Sequence, residues 1–291
     1  AHNDPDYPPD HPAKIGAAMW ADAYAESYID GLQEYCQTHP DQYELVGAYL
    51  TEFSFIWEEE VEALKDCDYV IPPIPMITFA EEYRDEGYSA KFISTEPNLS
   101  FLRIIDDAGL WEEVDGMLFA RPYRWWNETG TLVDLANTVL NEYHSSSEIE
   151  DIVEQGPGYL VAAQQVYQML QIIADAVNVE GLGGFDSQAV YDTAQSYSLT
   201  IDSLRRYDFN SVKRTSPNYV GIYELDGAQE DLVRVVPEWI PLGAPWSPWV
   251  YDINDNGEIN YAEMVNALMD YLLSKINYSQ MTQVLMQYLI S

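Results

Sequence analysis

The stretch DYVIPPIPMITFAEEYRDEGYSAKFISTE, residues 68–96, decides the fold because it places two apolar strands around one helix. Residues 68–75 and 91–96 are short and apolar, as strands are. Between them, residues 78–88 have helical spacing and end near Gly87, a residue type that commonly stops helices. Apolar strands joined by a helix are typical of a parallel sheet that is buried on both faces.

The same alternation continues on both sides of this stretch. The helix at 54–67 is predicted to bury Ile56, Val61 and Leu64. Another helix is predicted from about Asp22 to Thr38. The remaining predicted strands are KIGAAMW (14–20), YELVGAYL (43–50) and DGMLFARP (115–122). The sequence therefore predicts an α/β fold with a doubly wound parallel sheet.

The second half of the chain is predicted to be mainly helical. Helices are expected at 130–144, 159–177 and 186–197, followed by a strand at 219–227. The buried stripe of the long second helix is predicted to consist of Val166, Met169, Leu170, Ile173 and Val177. The proline-rich segment VVPEWIPLGAPWSPW (235–249) indicates a linker. We place an irregular arm at 1–13, the α/β region at 14–240, a Pro/Trp linker at 241–249 and a separate module at 250–291.

Composition limits the possible partners. The 291 residues include 49 acidic and 13 basic ones, for a formal net charge of −36. Such a surface repels nucleic acid and anionic membranes, which need clustered Lys and Arg. No apolar run reaches the ~20 residues that span a bilayer. Cys36 and Cys67 form no CxxC or Cys/His cluster, so zinc and thiol-redox chemistry are disfavoured, and a bridge between them stays open.

Three Asn-x-Ser/Thr sequons make Asn98, Asn127 and Asn277 candidate glycosylation sites. Together with the acidic composition, they favour an extracellular or cell-surface protein.

Residues 252–263, DINDNGEINYAE, have the spacing of an EF-hand calcium loop. Gly257 at position 6 permits the sharp turn, and Glu263 at position 12 can supply two carboxylate oxygens. Calcium takes six to eight oxygen ligands, and this spacing delivers them from one segment. The alternative is an acidic turn before a helix. The predicted ligands are Asp252, Asn254, Asn256, Glu258 (through its backbone carbonyl), Asn260 and Glu263.

Residues 251–291 resemble archaeal and bacterial dockerin-like modules, which implies a small all-α unit. The second half, KINYSQMTQVLMQYLIS, keeps the helical pattern but has no metal ligands. One Ca²⁺ ion is therefore expected, and the resemblance implies a stabilising, surface-display or docking role rather than cohesin binding.

Three segments of the α/β region resemble type I periplasmic binding proteins, the solute-binding components of ABC transporters, and especially their branched-chain amino acid and amide group. They are KIGAAMWADAYAESYIDGLQ (14–33), residues 68–100 and AQQVYQMLQIIADAV (163–177). The ending YVGIYELDG…VVPEWIPL is also similar to the last strands of that family. The resemblance implies a receptor for an amino acid or amide that works with an ABC permease.

The resemblance assigns ligand-facing positions to Tyr24, after the first strand, and Glu96, at the end of the fourth. A buried carboxylate needs a cationic partner, so an amine-bearing solute is a coherent expectation. The alternatives are a solvated loop acid for Glu96 and an aromatic core residue for Tyr24. Amino-acid-binding relatives often place an aromatic ligand contact near the end of the third strand, where this sequence has Pro72 and Pro73. This departure puts branched-chain specificity in doubt. Trp125 and Trp126 either line a cleft or pack at a hinge.

These binding proteins have two lobes, and this chain starts at what resembles the second. We expect the first lobe on another polypeptide, or self-association of this chain, to cover apolar faces otherwise exposed. The alternatives are a structural cell-surface or filament protein that kept the fold, and a secreted glycosidase with a dockerin-like tail. The sequence has no GxSxG, HExxH, P-loop or GxGxxG motif, so we expect no enzyme.

Overall fold

The computed structural model describes residues 4–210, 213, 216–242, 251, 258–273 and 278–290. Its strands are β1 (Ala13–Trp20), β2 (Tyr43–Thr51), β3 (Tyr69–Ile71), β4 (Lys91–Thr95), β5 (Leu118–Arg121), β6 (Ser198–Ile201), β7 (Leu204–Asp208), β8 (Tyr219–Asp226) and β9 (Asp231–Pro241). Its helices are α1 (Ala23–Thr38), α2 (Glu58–Ala63), α3 (Ile77–Asp85), α4 (Glu96–Leu99), α5 (Leu102–Ala108), α6 (Thr131–Tyr143), α7 (Ser146–Glu154), α8 (Gly158–Gly184), α9 (Ser187–Gln195), α10 (Tyr261–Leu272) and α11 (Tyr278–Ile290).

A seven-stranded sheet in the order β2-β1-β3-β4-β5-β8-β9 forms the centre of the α/β region. Strands β1 to β5 pair in parallel, and β8 pairs antiparallel with β5. Helix α1 packs on one face, where its Ile29 joins Ile15 and Ala17 of β1. Helices α2, α3 and α5 pack on the other face around Phe79 and Phe92. The predicted α/β fold with a mostly parallel, doubly wound sheet is confirmed.

The two cysteines are free and buried, and they lie in different hydrophobic clusters on the two faces of the sheet. Helix α2 approaches β1 so closely that a Cβ atom on Gly16 would lie 2.3 Å from Cδ2 of Leu64 and 2.9 Å from Sγ of Cys67. Cys36 lies in the cluster that contains α1. The sheet therefore separates the two thiols, and the disulfide that the sequence left open does not form.

Three predicted elements are shorter or placed differently. The helix predicted at 54–67 begins only at Glu58, and Ile56, predicted to be buried, is 68% exposed, although Val61 and Leu64 are buried. Strand β3 ends before Pro72, since proline lacks the N–H that would continue the ladder. Residues 235–241 of the predicted linker belong to β9, an edge strand that tolerates its prolines. Residues 243–250 lie outside the described residues.

Helix α8 confirms the predicted long helix but not its buried stripe. The side chains that face inward over residues 158–169 are Leu160, Gln164 and Gln168. Val166 and Met169 are 47% and 52% exposed, and Leu170, also predicted to be buried, is exposed as well. Ile173 and Val177 are half-buried, and the buried positions of the helix are Leu160, Gln164, Gln168, Ile172 and Ala176.

The N-terminal arm is attached to the amino edge of the sheet. The hydroxyl of Tyr69 donates to Asp4 Oδ2 (3.2 Å), and Lys91 Nζ donates to Asp4 Oδ1 (3.0 Å) and Asp6 Oδ2 (3.0 Å). Glu224 lies 3.3 Å from the same ammonium group. Ion pairs with one scarce cation thus hold the arm in place.

The chain divides into two compact units. The first comprises Ala1–Met169 and Val220–Ile240, and the second comprises Leu170–Tyr219 and Pro241–Ser291. In the second unit, β6 and β7 form an antiparallel hairpin, and α10 and α11 pack around a separate small core. That core contains Tyr251, Ile259, Ala267, Met281 and Val284. No helix among the described residues is long and apolar enough to cross a bilayer.

Candidate functional site

The strand order places a crevice at the carboxyl edge of the sheet. From β1 the sheet continues to β2 on one side and to β3, β4 and β5 on the other, so the direction of the strand order reverses between β1 and β3. Ligands of open α/β sheets bind beyond the carboxyl ends of the strands at such a reversal. The segments there are the start of α1, Pro72–Pro73 after β3, and the β4–α4 junction at Thr95–Glu96.

Tyr24 and Glu96, the two predicted ligand contacts, lie at this same edge. Asp22 caps α1 by accepting a hydrogen bond from Ala25 N (2.8 Å), which fixes Tyr24 in the first turn. The Tyr24 hydroxyl is 2.5 Å from Thr95 Oγ1, and Thr95 directly precedes Glu96. Tyr24 is 42% exposed, so it is not an aromatic core residue. The role of both residues in binding a solute stays a prediction.

Glu96 forms a bidentate ion pair with Arg121, the last residue of β5. Arg121 Nε donates to Glu96 Oε2 (2.9 Å) and Nη2 donates to Oε1 (2.7 Å). The Arg121 side chain is fully buried, and its guanidinium lies over the rings of Trp125 (4.8 Å) and Tyr223 (5.4 Å). Burial raises the pKa of Glu96 above its usual value, and the charge and hydrogen bonds of Arg121 oppose this only in part.

The ion pair changes the argument for an amine-bearing solute. We expected the buried carboxylate to obtain its cationic partner from the ligand, but Arg121 already supplies it. The Glu96 side chain is still 20% exposed. Sequence reasoning missed Arg121. The available signal was an arginine at the end of an apolar strand, in a chain with only 13 basic residues.

Glu128 connects a second group of charged and aromatic side chains to the first. Its Oε2 accepts hydrogen bonds from Trp125 N (2.7 Å) and the Tyr223 hydroxyl (2.6 Å). Its Oε1 lies 3.1 Å from Arg124 Nη1 and 3.3 Å from Arg234 Nη1. Burial alone would raise the pKa of Glu128, but the hydrogen bonds from Tyr223, Trp125 and Arg234 outweigh it and lower this pKa. Because Tyr223 also contacts Arg121, the two ion pairs share one aromatic ring.

Trp125 is buried and Trp126 is half-buried, and the indole N–H of each donates to another group of the protein. Trp125 is 3% exposed, and its Nε1 donates to Asp231 Oδ1 (2.6 Å). Trp126 Nε1 donates to the carbonyl of Gly156 (3.0 Å), and its ring packs against the small cluster under α6 and α8. The packing alternative for these residues is therefore the one observed.

The sequon asparagines differ in accessibility. Asn98 is fully buried, and its Nδ2 donates to Pro73 O (3.1 Å) and Ser94 Oγ (2.9 Å), so a glycan there is incompatible with this fold. The prediction for Asn98 is wrong because this amide ties α4 to the segment after β3. Asn127 is exposed and remains a candidate. Asn277 lies outside the described residues.

Three predicted calcium ligands, Asp252, Asn254 and Asn256, also lie outside the described residues. At the other end of the loop, Asn260 caps α10 by accepting hydrogen bonds from Ala262 N (2.9 Å) and Glu263 N (3.2 Å). Glu263 is 4% exposed, and its Oε2 accepts from Asn260 N (3.0 Å). This capping box explains the positions of the Asn260 and Glu263 side chains without a metal ion. The calcium site stays a prediction.

The fold of this chain is similar to that of several solved solute-binding proteins. A branched-chain amino acid ABC transporter protein from Thermus thermophilus, solved with bound valine, superposes with a TM-score of 0.62 at 13% identity. A solute-binding protein from Rhodopseudomonas palustris HaA2, solved with p-hydroxybenzoic acid, gives 0.61 at 12% identity. A substrate-binding periplasmic protein from Ralstonia solanacearum gives 0.56 at 15% identity. These similarities define the fold.

The match covers 81%, 80% and 76% of this chain, respectively, but only 62%, 62% and 61% of those three proteins. The chain thus spans under two thirds of the length of the solved structures it resembles. No protein-family model and no curated protein sequence matches it.

We expect Glu128→Gln to destabilise the protein by about 2 kcal/mol at pH 7, because hydrogen bonds to a charged acceptor are stronger than those to an amide. The pKa of Glu128 is lowered in the folded state, so its contribution is complete above the unfolded pKa of about 4.3 and is lost as pH falls through the folded pKa. Urea unfolding from pH 7 to pH 3 measures this. The gap between the variant and the wild type should close below about pH 4.3.

The exposed Glu59→Gln is the matched control for removing one negative charge. A gap for Glu128→Gln that stays constant over the whole pH range, or that widens towards acid, contradicts this account.

Proposed function

We propose that the chain is the second lobe of an extracellular or cell-surface solute receptor that delivers an amino acid or amide to an ABC permease. The observation that supports this most is the convergence of Tyr24, Thr95 and the Glu96–Arg121 pair at the carboxyl edge of a sheet with this strand order. The solved proteins of this fold are described as solute-binding or substrate-binding proteins, and one holds valine. Binding without turnover is the expected activity.

In this proposal, polar groups at the carboxyl edge of the sheet bind the solute. The Tyr24 hydroxyl and the Glu96 carboxyl group offer hydrogen-bond acceptors to an ammonium or amide N–H. Because Arg121 fixes the orientation of the Glu96 carboxyl group, the acceptor is pre-organised and a neutral amide is as suitable a partner as an amine.

Removal of the Tyr24 hydroxyl should weaken solute binding by about tenfold, the equivalent of one hydrogen bond. A thermal-shift screen of amino acids and amides identifies the ligand, and calorimetry then compares wild type with Tyr24→Phe. Tyr35→Phe is the matched control, since Tyr35 is 52% exposed on the same helix but faces Tyr43 and His39.

Equal affinity in all three proteins contradicts a role for Tyr24. If no amino acid or amide binds, the receptor proposal is wrong and the alternative of a structural cell-surface protein is favoured. Hydrolysis of a glycoside would support the glycosidase alternative instead.

We further propose that the exposed apolar side chains Val166, Met169 and Leu170 of α8 are covered by the first lobe on another polypeptide or by a second copy of this chain. Over residues 158–169 the helix turns glutamines inward and leaves Val166 and Met169 outside. Exposed apolar side chains grouped on one helix are expected where another surface packs against it.

Sedimentation of the protein purified from its natural source should give a particle heavier than the 33.2 kDa of this chain. Met169→Lys should weaken that association at least about tenfold, because it places an ammonium group in an apolar contact. Ile104→Lys is the control, since Ile104 is 49% exposed on α5. A 33.2 kDa particle without a partner, or equal effects of the two variants, contradicts the proposal.

The third part of the proposal is a single stabilising Ca²⁺ ion bound by Asp252, Asn254, Asn256, Asn260, Glu263 and the Glu258 carbonyl. The oxygen-donor spacing supports it. Glu263→Gln should weaken calcium binding at least about tenfold in calorimetry, while the stability of the calcium-free protein stays the same, since Gln also completes a capping box.

Glu258→Gln removes the same charge at a position that supplies only its backbone carbonyl, so it should bind calcium like the wild type. The proposal is wrong if the wild type takes up no Ca²⁺, or if both variants lose affinity equally.

A further inference from the structure

The loop that follows β2 presents three large apolar side chains to solvent. Phe53 is 71% exposed, Phe55 48% and Ile56 68%. We call these three residues the loop patch. Single exposed apolar residues are ordinary on protein surfaces, but a contiguous group in one short loop indicates an interaction site.

The loop is held in this conformation by hydrogen bonds at several points. Trp20 Nε1 donates to the carbonyl of Ser54 (2.8 Å), and Ile56 N donates to Ser54 Oγ (3.1 Å). Trp57 N donates to Glu82 Oε2 (2.9 Å), which fixes the end of the loop to α3. The apolar side chains are therefore displayed by a defined backbone, so little conformational entropy is lost when a partner binds.

Aromatic contacts connect the loop patch to the core. The ring centroid of Phe53 lies 4.4 Å from that of Trp20, and Phe55 lies 5.4 Å from Trp20 and 5.2 Å from Phe53. Behind them, Trp20 stacks with the fully buried Trp57 at 6.4 Å. Rigid aromatic anchors with packed support are typical of the residues that dominate binding energy at interfaces.

The border of the loop patch is acidic. Glu52 precedes it, and the exposed Glu58 and Glu59 follow it in the first turn of α2. An apolar surface with this border favours a partner that combines apolar and cationic side chains, since Lys and Arg pair with the carboxylates and also bind over aromatic rings. At this patch a second copy of this chain would offer few cationic side chains to the acidic border, and an anionic bilayer is repelled by the net charge of −36.

We propose that the loop patch is a docking surface for a basic, amphipathic segment of a partner protein. The apolar side chains of that segment cover Phe53, Phe55 and Ile56, and its Lys or Arg side chains pair with Glu52, Glu58 and Glu59. The patch lies on the first unit, after the carboxyl end of β2 and therefore at the same sheet edge as the proposed solute site. Its proposed occupant is a protein segment, so peptide binding and solute binding are measured separately.

A fluorescently labelled amphipathic peptide of leucine and lysine is the probe, and fluorescence anisotropy at about 0.15 M salt measures its affinity for the full chain. Phe53→Ser/Ile56→Ser should weaken binding at least about tenfold, as loss of interface anchors does. Glu52→Gln/Glu59→Gln should weaken it less and should reduce its salt dependence. Thermal unfolding confirms that each variant is folded.

The matched controls are Tyr143→Ser, an aromatic residue that is 76% exposed on α6, and Glu142→Gln/Glu150→Gln, two exposed acids on α6 and α7. Both should bind the peptide like the wild type. A second peptide with serine in place of leucine should bind weakly and equally to all variants, which measures general attraction to the acidic surface.

Equal affinity of the leucine–lysine peptide for wild type and Phe53→Ser/Ile56→Ser overturns the proposal. So does equally tight binding of a peptide with glutamate in place of lysine. A concentration-dependent dimer that is lost in Phe53→Ser/Ile56→Ser would assign the surface to a second copy instead. Co-sedimentation with phosphatidylcholine vesicles that the same variant abolishes would assign it to a bilayer.

Discussion

Arg121 is a fully buried cation in a strongly acidic protein, and its bidentate contact with Glu96 constrains the region around it. A buried guanidinium without a carboxylate costs several kcal/mol, so β5 and the β4–α4 junction must meet at this pair. The pair thereby sets where α4 starts and where Thr95 stands to contact Tyr24. The polar groups at the carboxyl edge of the sheet are thus positioned by one ion pair.

The aromatic ring of Tyr223 extends this constraint to β8. It lies beneath Arg121 on one side and donates its hydroxyl to Glu128 on the other. Arg234 of β9 completes the group through its own contacts with Glu128 and the Trp239 ring (4.2 Å). Arg121 and Arg234 thus pair with carboxylates inside the fold, where their effective interaction is stronger than at the surface.

Local patterns in the sequence predicted the sheet well because parallel strands are continuous apolar runs, and β1, β2 and β4 match their predicted ranges closely. Contacts between distant residues limited the rest. The conformation of the loop at Ile56 depends on hydrogen bonds from Trp20 and to Glu82, which are distant from residue 56 in the sequence. The buried positions of α8 include Gln164 and Gln168, which apolar periodicity does not select. Tyr24 and Glu96 were selected from a resemblance, whereas Arg121 was visible only after β4 and β5 were paired.

Hydrogen–deuterium exchange with and without the bound solute tests the central claim most directly, because it reports where along the chain a ligand changes backbone protection. The account predicts increased protection confined to the carboxyl edge, in residues 20–25, 72–76 and 94–98. Protection at the amino edge, in residues 4–12 and 90–92, or a solute that binds without protecting any of the carboxyl-edge segments, would contradict it.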